Sequence, residues 1–334
     1  MKQAQFVARH QAEWQAFEQW LQTRGDARHA RAERNTGELG DEQVPQRYRR
    51  LCQQLALARR RGYSPVVTTR LQDLMQRGHA LLYRTPPPRW RRALAFVRAD
   101  FPRLVRSEPG CMWAALALFA LPLAGMFVLL QFQPELIHGL MGPMEVARME
   151  QMYDPSSDAH RLGRDSGSDW YMFGVYIMNN ISIGLRTFAS GLLAGVGAIL
   201  ILIFNGVTIG AVFGHLQQIG YGDPLWRFVC GHAPFELSAI VIAGGAGLRL
   251  GFNLVAPGRL GRAEALRIAG IKGAKLCLGV FLMLLVAAFI EAFWSSIGSI
   301  PAVVKYSVSA VLWALVLGWL WWGGRNRDEV ADAP

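Results

Sequence analysis

The chain has 334 residues, with 35 Lys+Arg against 24 Asp+Glu and a formal net charge of +11. All of that charge lies in residues 1–108, which hold 21 Lys+Arg and 10 Asp+Glu, whereas residues 109–334 hold 14 of each. The segregation excludes a single soluble domain and removes nucleic acid as a partner, because the composition averages a polar, Arg-rich module and an apolar, Gly-rich one.

Residues 1–20 read as a polar helix with Trp14, Phe17, Trp20 and Leu21 on one face, without the apolar core of an export signal. Helical spacing recurs in Tyr48, Leu51, Leu55 and Ala58, and again in Leu71, Leu74, Ala80 and Leu82 after a turn at 62–65. A cytoplasmic domain of three helices is therefore expected over 1–85, with a polar connector at 25–41. In segment 86–108 the run Pro86-Pro87-Pro88 predicts a stiff spacer. A basic amphipathic helix follows, with Trp90, Leu94, Val97, Phe101 and Leu104 on a stripe and Arg91, Arg92, Arg98, Arg103 and Arg106 around it. Such a helix suits a membrane surface with anionic lipid headgroups. Packing on its own cytoplasmic module is the competing reading.

From 109 to 323 the apolar runs predict an all-α, polytopic membrane domain with spans at about 111–131, 170–185, 187–213, 234–248, 272–294 and 302–322. Asn179 and Asn180 interrupt the second span, for which a re-entrant segment is the alternative. The loop 134–169 carries seven acids against Arg148, Arg161 and Arg164, while the link 249–275 carries six bases against Glu264 alone. By the positive-inside rule the link, the basic domain and the tail 324–334 are cytoplasmic and the loop is external. The expected location is a bacterial inner (cytoplasmic) membrane, multi-pass, with both termini inside.

Ionisable and amide side chains within apolar spans are costly and raise functional hypotheses. Candidates are Asn179, Asn180 and Arg186 around the second span, Asn205 in the third, His232 and Glu236 four residues apart at a helix start, and Glu291 in the fifth. Helix pinning, passage of an ion or solute, and catalysis are all compatible with them. No catalytic residue is assigned, since no nucleophile accompanies a base at recognisable spacing. Neither metal nor cofactor is expected: the 231–238 segment lacks the second His of a His-Glu-x-x-His site, and Cys52, Cys111, Cys230 and Cys277 form no Cys-x-x-Cys pair. Met141, Met144, Met149 and Met152 supply the apolar face of a loop helix, with thioether binding of Cu(I) as the competing reading.

Gly206, Gly210 and Gly214 recur every four residues, as do Gly191 and Gly195, and such stripes let helix backbones approach closely. They also permit a homo-oligomer. An interruption of the third span at Asn205-Gly206 is the alternative.

The succession Met178-Asn179-Asn180, Phe204-Asn205-Gly206 with Gly210, His232-Ala233-Pro234-Phe235-Glu236-Leu237, Ile242-Ala243-Gly244 and Ile290-Glu291-Ala292-Phe293 resembles the stage II sporulation protein M family across about residues 110–325. Ala233 stands where the family has Gly. The basic module is similar to that of longer bacterial members, in Tyr48-Arg49-Arg50 and in the run from Arg77 to Tyr83. The resemblance implies an integral membrane protein without catalytic activity of its own. In spore formers the founding member holds cell-wall hydrolases at the engulfing membrane, but it lacks a cytoplasmic module of this size. The expected role is a non-enzymatic scaffold that recruits other membrane proteins, with a transporter or channel as the alternative.

Overall fold

The computed structural model describes residues 2–25, 43–83, 88–156, 162–163 and 167–325. The described residues contain no strand and divide into two compact units, Met1–Arg92 and Ala93–Arg325.

The first unit is the expected three-helix domain, made of α1 (Gln3–Gly25), α2 (Val44–Arg60) and α3 (Pro65–Leu82). Phe6, Trp14, Phe17 and Leu21 from α1 meet Tyr48, Leu51, Leu55 and Ala58 from α2 and Leu71 and Leu74 from α3 in one buried cluster. Gly78 lets α3 approach, since a Cβ there would press on the Phe17 and Tyr48 rings. The buried indole of Trp14 donates to Gln54 Oε1 at 2.7 Å, so the polar end of the ring is satisfied inside the core. Of the expected connector, residues 26–41 lie outside the described residues, as do Pro86 and Pro87.

The basic helix forms as α4 (Arg89–Ala95), a π turn (Phe96–Asp100) and α5 (Phe101–Arg106). Its stripe divides. Trp90 and Leu94 are exposed, but Phe101 is buried in the second unit, where its ring lies 5.4 Å from that of Trp319. The five arginines divide as well. Arg91, Arg92 and Arg98 are exposed, whereas Arg103 donates to the Gly324 carbonyl at 2.7 Å and Arg106 to those of Leu320 and Gly323. Those carbonyls close the last long helix, so two of the expected lipid-facing cations act as a C-terminal cap.

Among the described residues five helices are long and apolar enough to cross a membrane: α6 (Pro109–Phe132), α10 (Val196–Gln218), α12 (Ala233–Val255), α13 (Arg262–Ile290) with its π turn to Ser295, and α14 (Ala302–Trp322). The expected second span is α9 (Asp169–Ala189), a continuous helix that falls outside those five. It still runs the depth of the bundle. Asn180 meets Glu291, Gly184 meets Leu284 and Val280, and Phe188 covers Gly273, so α9 lies antiparallel along α13.

The expected third span began at 187, but the chain turns at Ser190–Leu192 and Ala194-Gly195, where both residues adopt positive φ, and α10 starts only at Val196. Gly191 and Gly195 therefore belong to a turn rather than to a helical stripe. The turn presses on α12, where a Cβ at Gly191 would strike the Gly247 carbonyl and one at Gly251 the Gly195 backbone. Asn205-Gly206 does not interrupt α10. Asn205 Nδ2 donates back to the Ile201 carbonyl at 2.8 Å, within an unbroken helix.

α6 and α10 run parallel. A Cβ at Gly206, Gly210 or Gly214 would meet backbone at Phe119, Leu123 and Phe127, advancing four residues along both helices at each step. These glycines are consumed inside one chain, so they offer no surface for self-association. α12 is the most buried of the five, and α6 and α14 are the least.

The basic link is mostly helical, since α12 continues to Val255 and α13 begins at Arg262. At that end Glu108, which precedes α6, joins Arg249 of α12 at 3.2 Å and Lys272 of α13. One carboxylate thus ties three helices together. Arg249 and Lys272 remain 36% and 28% exposed, which screens the pairs. Glu108→Gln is expected to cost about 1–2 kcal/mol, read as a lower melting temperature in detergent.

Candidate functional site

The opposite end of the bundle carries the loop, which folds into short helices including α7 (Ile137–Leu140) and α8 (Pro143–Tyr153), followed by α11 (Gly222–Val229) between α10 and α12. Ile137, Val146, Met149 and Tyr153 are buried against Leu216, Leu225 and Phe228. His215 Nε2 meets Glu150 at 2.7 Å, and the Leu162 amide donates to the Ser296 carbonyl at 2.7 Å, so the loop is fixed over the helix ends. Met149 acts as the apolar face expected of it, while Met144 is 83% exposed.

Beneath this cover four of the sequence candidates converge. His232 precedes α12, whose second residue is Pro234, and Glu236 follows in its first turn. The imidazole Nε2 lies 3.7 Å from Glu236 Oε2, and Nδ1 lies 3.2 Å from Ser295 Oγ. Glu291 opens the π turn at the end of α13, which shifts the register so that Glu291 and Ser295 are both buried. π turns of this kind recur at functional sites. Asn180 Nδ2 of α9 donates to Glu291 Oε2 at 3.4 Å and its Oδ1 accepts from Asn179 at 3.0 Å. Ligand atoms of His232, Glu236 and Glu291 all lie within 4.8 Å of one another, a grouping that no other three such side chains reach among the described residues.

The remaining candidates lie elsewhere. Asn179 sits on the exposed rim of α9, Arg186 is exposed near the other end of that helix, and Asn205 is bonded within α10.

The cluster also includes residues that the sequence did not single out. Lys305 of α14 is fully buried, donates to the Ser295 carbonyl at 2.6 Å and holds its ammonium 5.7 Å from the Trp294 ring centre. Its signal was present, as a lone cation in an otherwise apolar span. Ser295 fell in an expected turn, and only the π geometry brings it inward. Tyr153 packs edge-on against Phe228, at 5.9 Å, and Phe228 in turn against His232 at 5.2 Å. Burial pushes the Tyr153 phenol above its ordinary range, so it stays protonated. Nothing in its amphipathic stretch distinguished it from a core aromatic.

The turn between α13 and α14 is clamped from α11. Arg227 donates to the Gly298 carbonyl and to that of Ile300 at 2.9 Å, and pairs with Asp223 at 3.3 Å.

A family model described as stage II sporulation protein M matches residues 114–296, more than half of the chain. The chain belongs to the stage II sporulation protein M family. It is accordingly a membrane protein, and the matched region runs from within α6 to just past the π turn, with every member of the cluster except Lys305. A second model, a domain of unknown function, DUF8413, matches residues 4–84, which cover the three-helix unit. No curated protein matches the chain, and no solved structure does.

Proposed function

We propose that this family member is a non-enzymatic scaffold of the bacterial inner membrane, with both termini in the cytoplasm and other membrane proteins as its partners. The carrying observation is how the costly polar groups are spent. Asn180, His232, Glu236, Glu291, Ser295 and Lys305 join α9, α12, α13 and α14 through one another and through backbone carbonyls. Backbone-to-backbone glycine contacts then lock α6 to α10 and the 190–195 turn to α12. A bundle held this way suits a rigid platform, with the basic helical module as the part that recruits. Charge supports the orientation: Arg249, Arg262, Arg267, Lys272 and Lys275 cluster at the end opposite the acidic loop.

The test is flux in proteoliposomes carrying the full chain, with a pH-sensitive dye inside and an imposed gradient of protons or of potassium. Leak equal to that of protein-free vesicles is expected. Flux above that level, lost in both Glu236→Gln and Glu291→Gln, would replace the scaffold with a transporter built on the same residues.

A further inference from the structure

We propose that His232, Glu236 and Glu291 bind one divalent transition-metal ion, zinc before manganese, at the loop end of the membrane bundle. This goes beyond the scaffold role and does not depend on it.

The argument starts from the imidazole. Ser295 Oγ stands 3.2 Å from Nδ1 and can accept its hydrogen, which leaves the Nε2 lone pair facing Glu236 Oε2 at 3.7 Å. In that tautomer two acceptors stand 3.7 Å apart with no proton between them, a gap too long for a hydrogen bond. Something positive belongs between them. Ligands bound at about 2.0–2.2 Å around one zinc stand roughly 3.0–3.6 Å apart, so the grouping within 4.8 Å needs only small side-chain rotations to close on an ion.

The surroundings are those of a metal centre as well. A ligating histidine usually donates its other ring N–H to a fixed acceptor, the part Ser295 takes here, and a ligating carboxylate is itself hydrogen-bonded, as Glu291 is by Asn180. Charge agrees. Two carboxylates in a water-poor bundle repel unless neutralised, and a dication cancels both. The buried cation at hand, Lys305, directs its ammonium to the Ser295 carbonyl instead. His232 is 4% exposed and Glu291 8%, with Tyr153 and Phe228 over them, so a bound ion would be shielded from bulk water. One nitrogen and two carboxylates without a thiolate fit Zn²⁺ or Mn²⁺, whereas Mg²⁺ and Ca²⁺ prefer oxygen alone. Because the ligands come from α12 and the α13 π turn, with α9 orienting one of them, the ion would join three helices.

The experiment uses the full chain, purified in detergent with any affinity tag removed, stripped with chelator and titrated with ZnCl₂, MnCl₂ and MgCl₂. One zinc per chain is expected, held more tightly than manganese and far more tightly than magnesium, with a melting temperature that rises on zinc addition. His232→Asn and Glu291→Gln should each weaken zinc binding at least about 10-fold. His215→Asn, at the separate imidazole–carboxylate contact with Glu150, should keep full stoichiometry. X-ray absorption of the zinc-loaded parent should show nitrogen and oxygen neighbours only, a readout that needs no variant to fold. A sulfur neighbour, a stoichiometry near zero, or zinc affinity unchanged in both His232→Asn and Glu291→Gln would overturn the assignment.

Discussion

Gly210→Leu is expected to prevent recovery of a monodisperse protein, and Gly210→Ala to lower its melting temperature sharply. A Cβ at Gly210 points at the Leu123 carbonyl and its Cα, which belong to backbone and cannot rotate aside. Relief requires α6 to move away from α10, and that opens the contacts at Gly206 and Gly214 in the same seam. Overpacking in cores that can repack costs about 1–3 kcal/mol, and a seam of rigid backbone belongs above that range. In a bilayer, close packing is itself the driving force for helix association, so no hydrophobic gain offsets the separation. Gly125→Leu is the control, because open space surrounds that position on α6. Size-exclusion profiles and thermal unfolding in one detergent check all three, and equal behaviour of Gly210→Leu and Gly125→Leu would refute the seam.

The second large effect is expected at Lys305. Lys305→Ala removes a fully buried four-carbon stem and leaves the Ser295 carbonyl without its donor. Emptying a comparable apolar volume and stranding a buried acceptor together cost about 3–5 kcal/mol. Lys305→Met keeps the volume and loses the ammonium, with its bond to the Ser295 carbonyl and its place over the Trp294 ring, for about 1–2 kcal/mol. A clear gap between the two variants in thermal unfolding assigns the residue to packing as well as to bonding. Equal losses would mean that the ammonium does everything and the stem nothing.

The contrast between α9 and α10 shows what the sequence could and could not carry. The helical nature of the chain and most of the apolar runs follow from periodicity and length alone. So does the buried face of the three-helix unit, where Trp14, Phe17, Leu51, Leu55, Leu71 and Leu74 all lie in one core. Residues 187–195 were unreadable because an apolar, Gly-bearing turn has the same composition as a membrane helix. Its conformation is decided by Gly247 and Gly251 of α12, which lie far along the chain.

The cluster divides for the same reason. His232 and Glu236 share a helical face by spacing, and Asn180 and Glu291 announce themselves by cost. Ser295 arrives only because α13 ends in a π turn, and Tyr153 only because the loop folds back over Phe228. Arg103 and Arg106 show a further limit. A basic stripe beside a membrane span reads as a lipid contact, and nothing local reveals that the carbonyl ends of α14 claim two of its members.

The parallel seam between α6 and α10 bears on how the chain is made. Two strongly apolar helices that point the same way need a return path between them, and among the described residues of that stretch α9 is the one helix long enough to provide it. As the ribosome delivers it, α9 exposes Asn179, Asn180 and Arg186 before Glu291 and Gly247, which cover part of its face, have been synthesised. A helix bearing these groups is costly to place in lipid alone, and the bond that satisfies Asn180 exists only once residue 291 has been made. Asn180 is accordingly satisfied by a segment 111 residues further along the chain, so α9 is expected to settle into place only after α13 has been made.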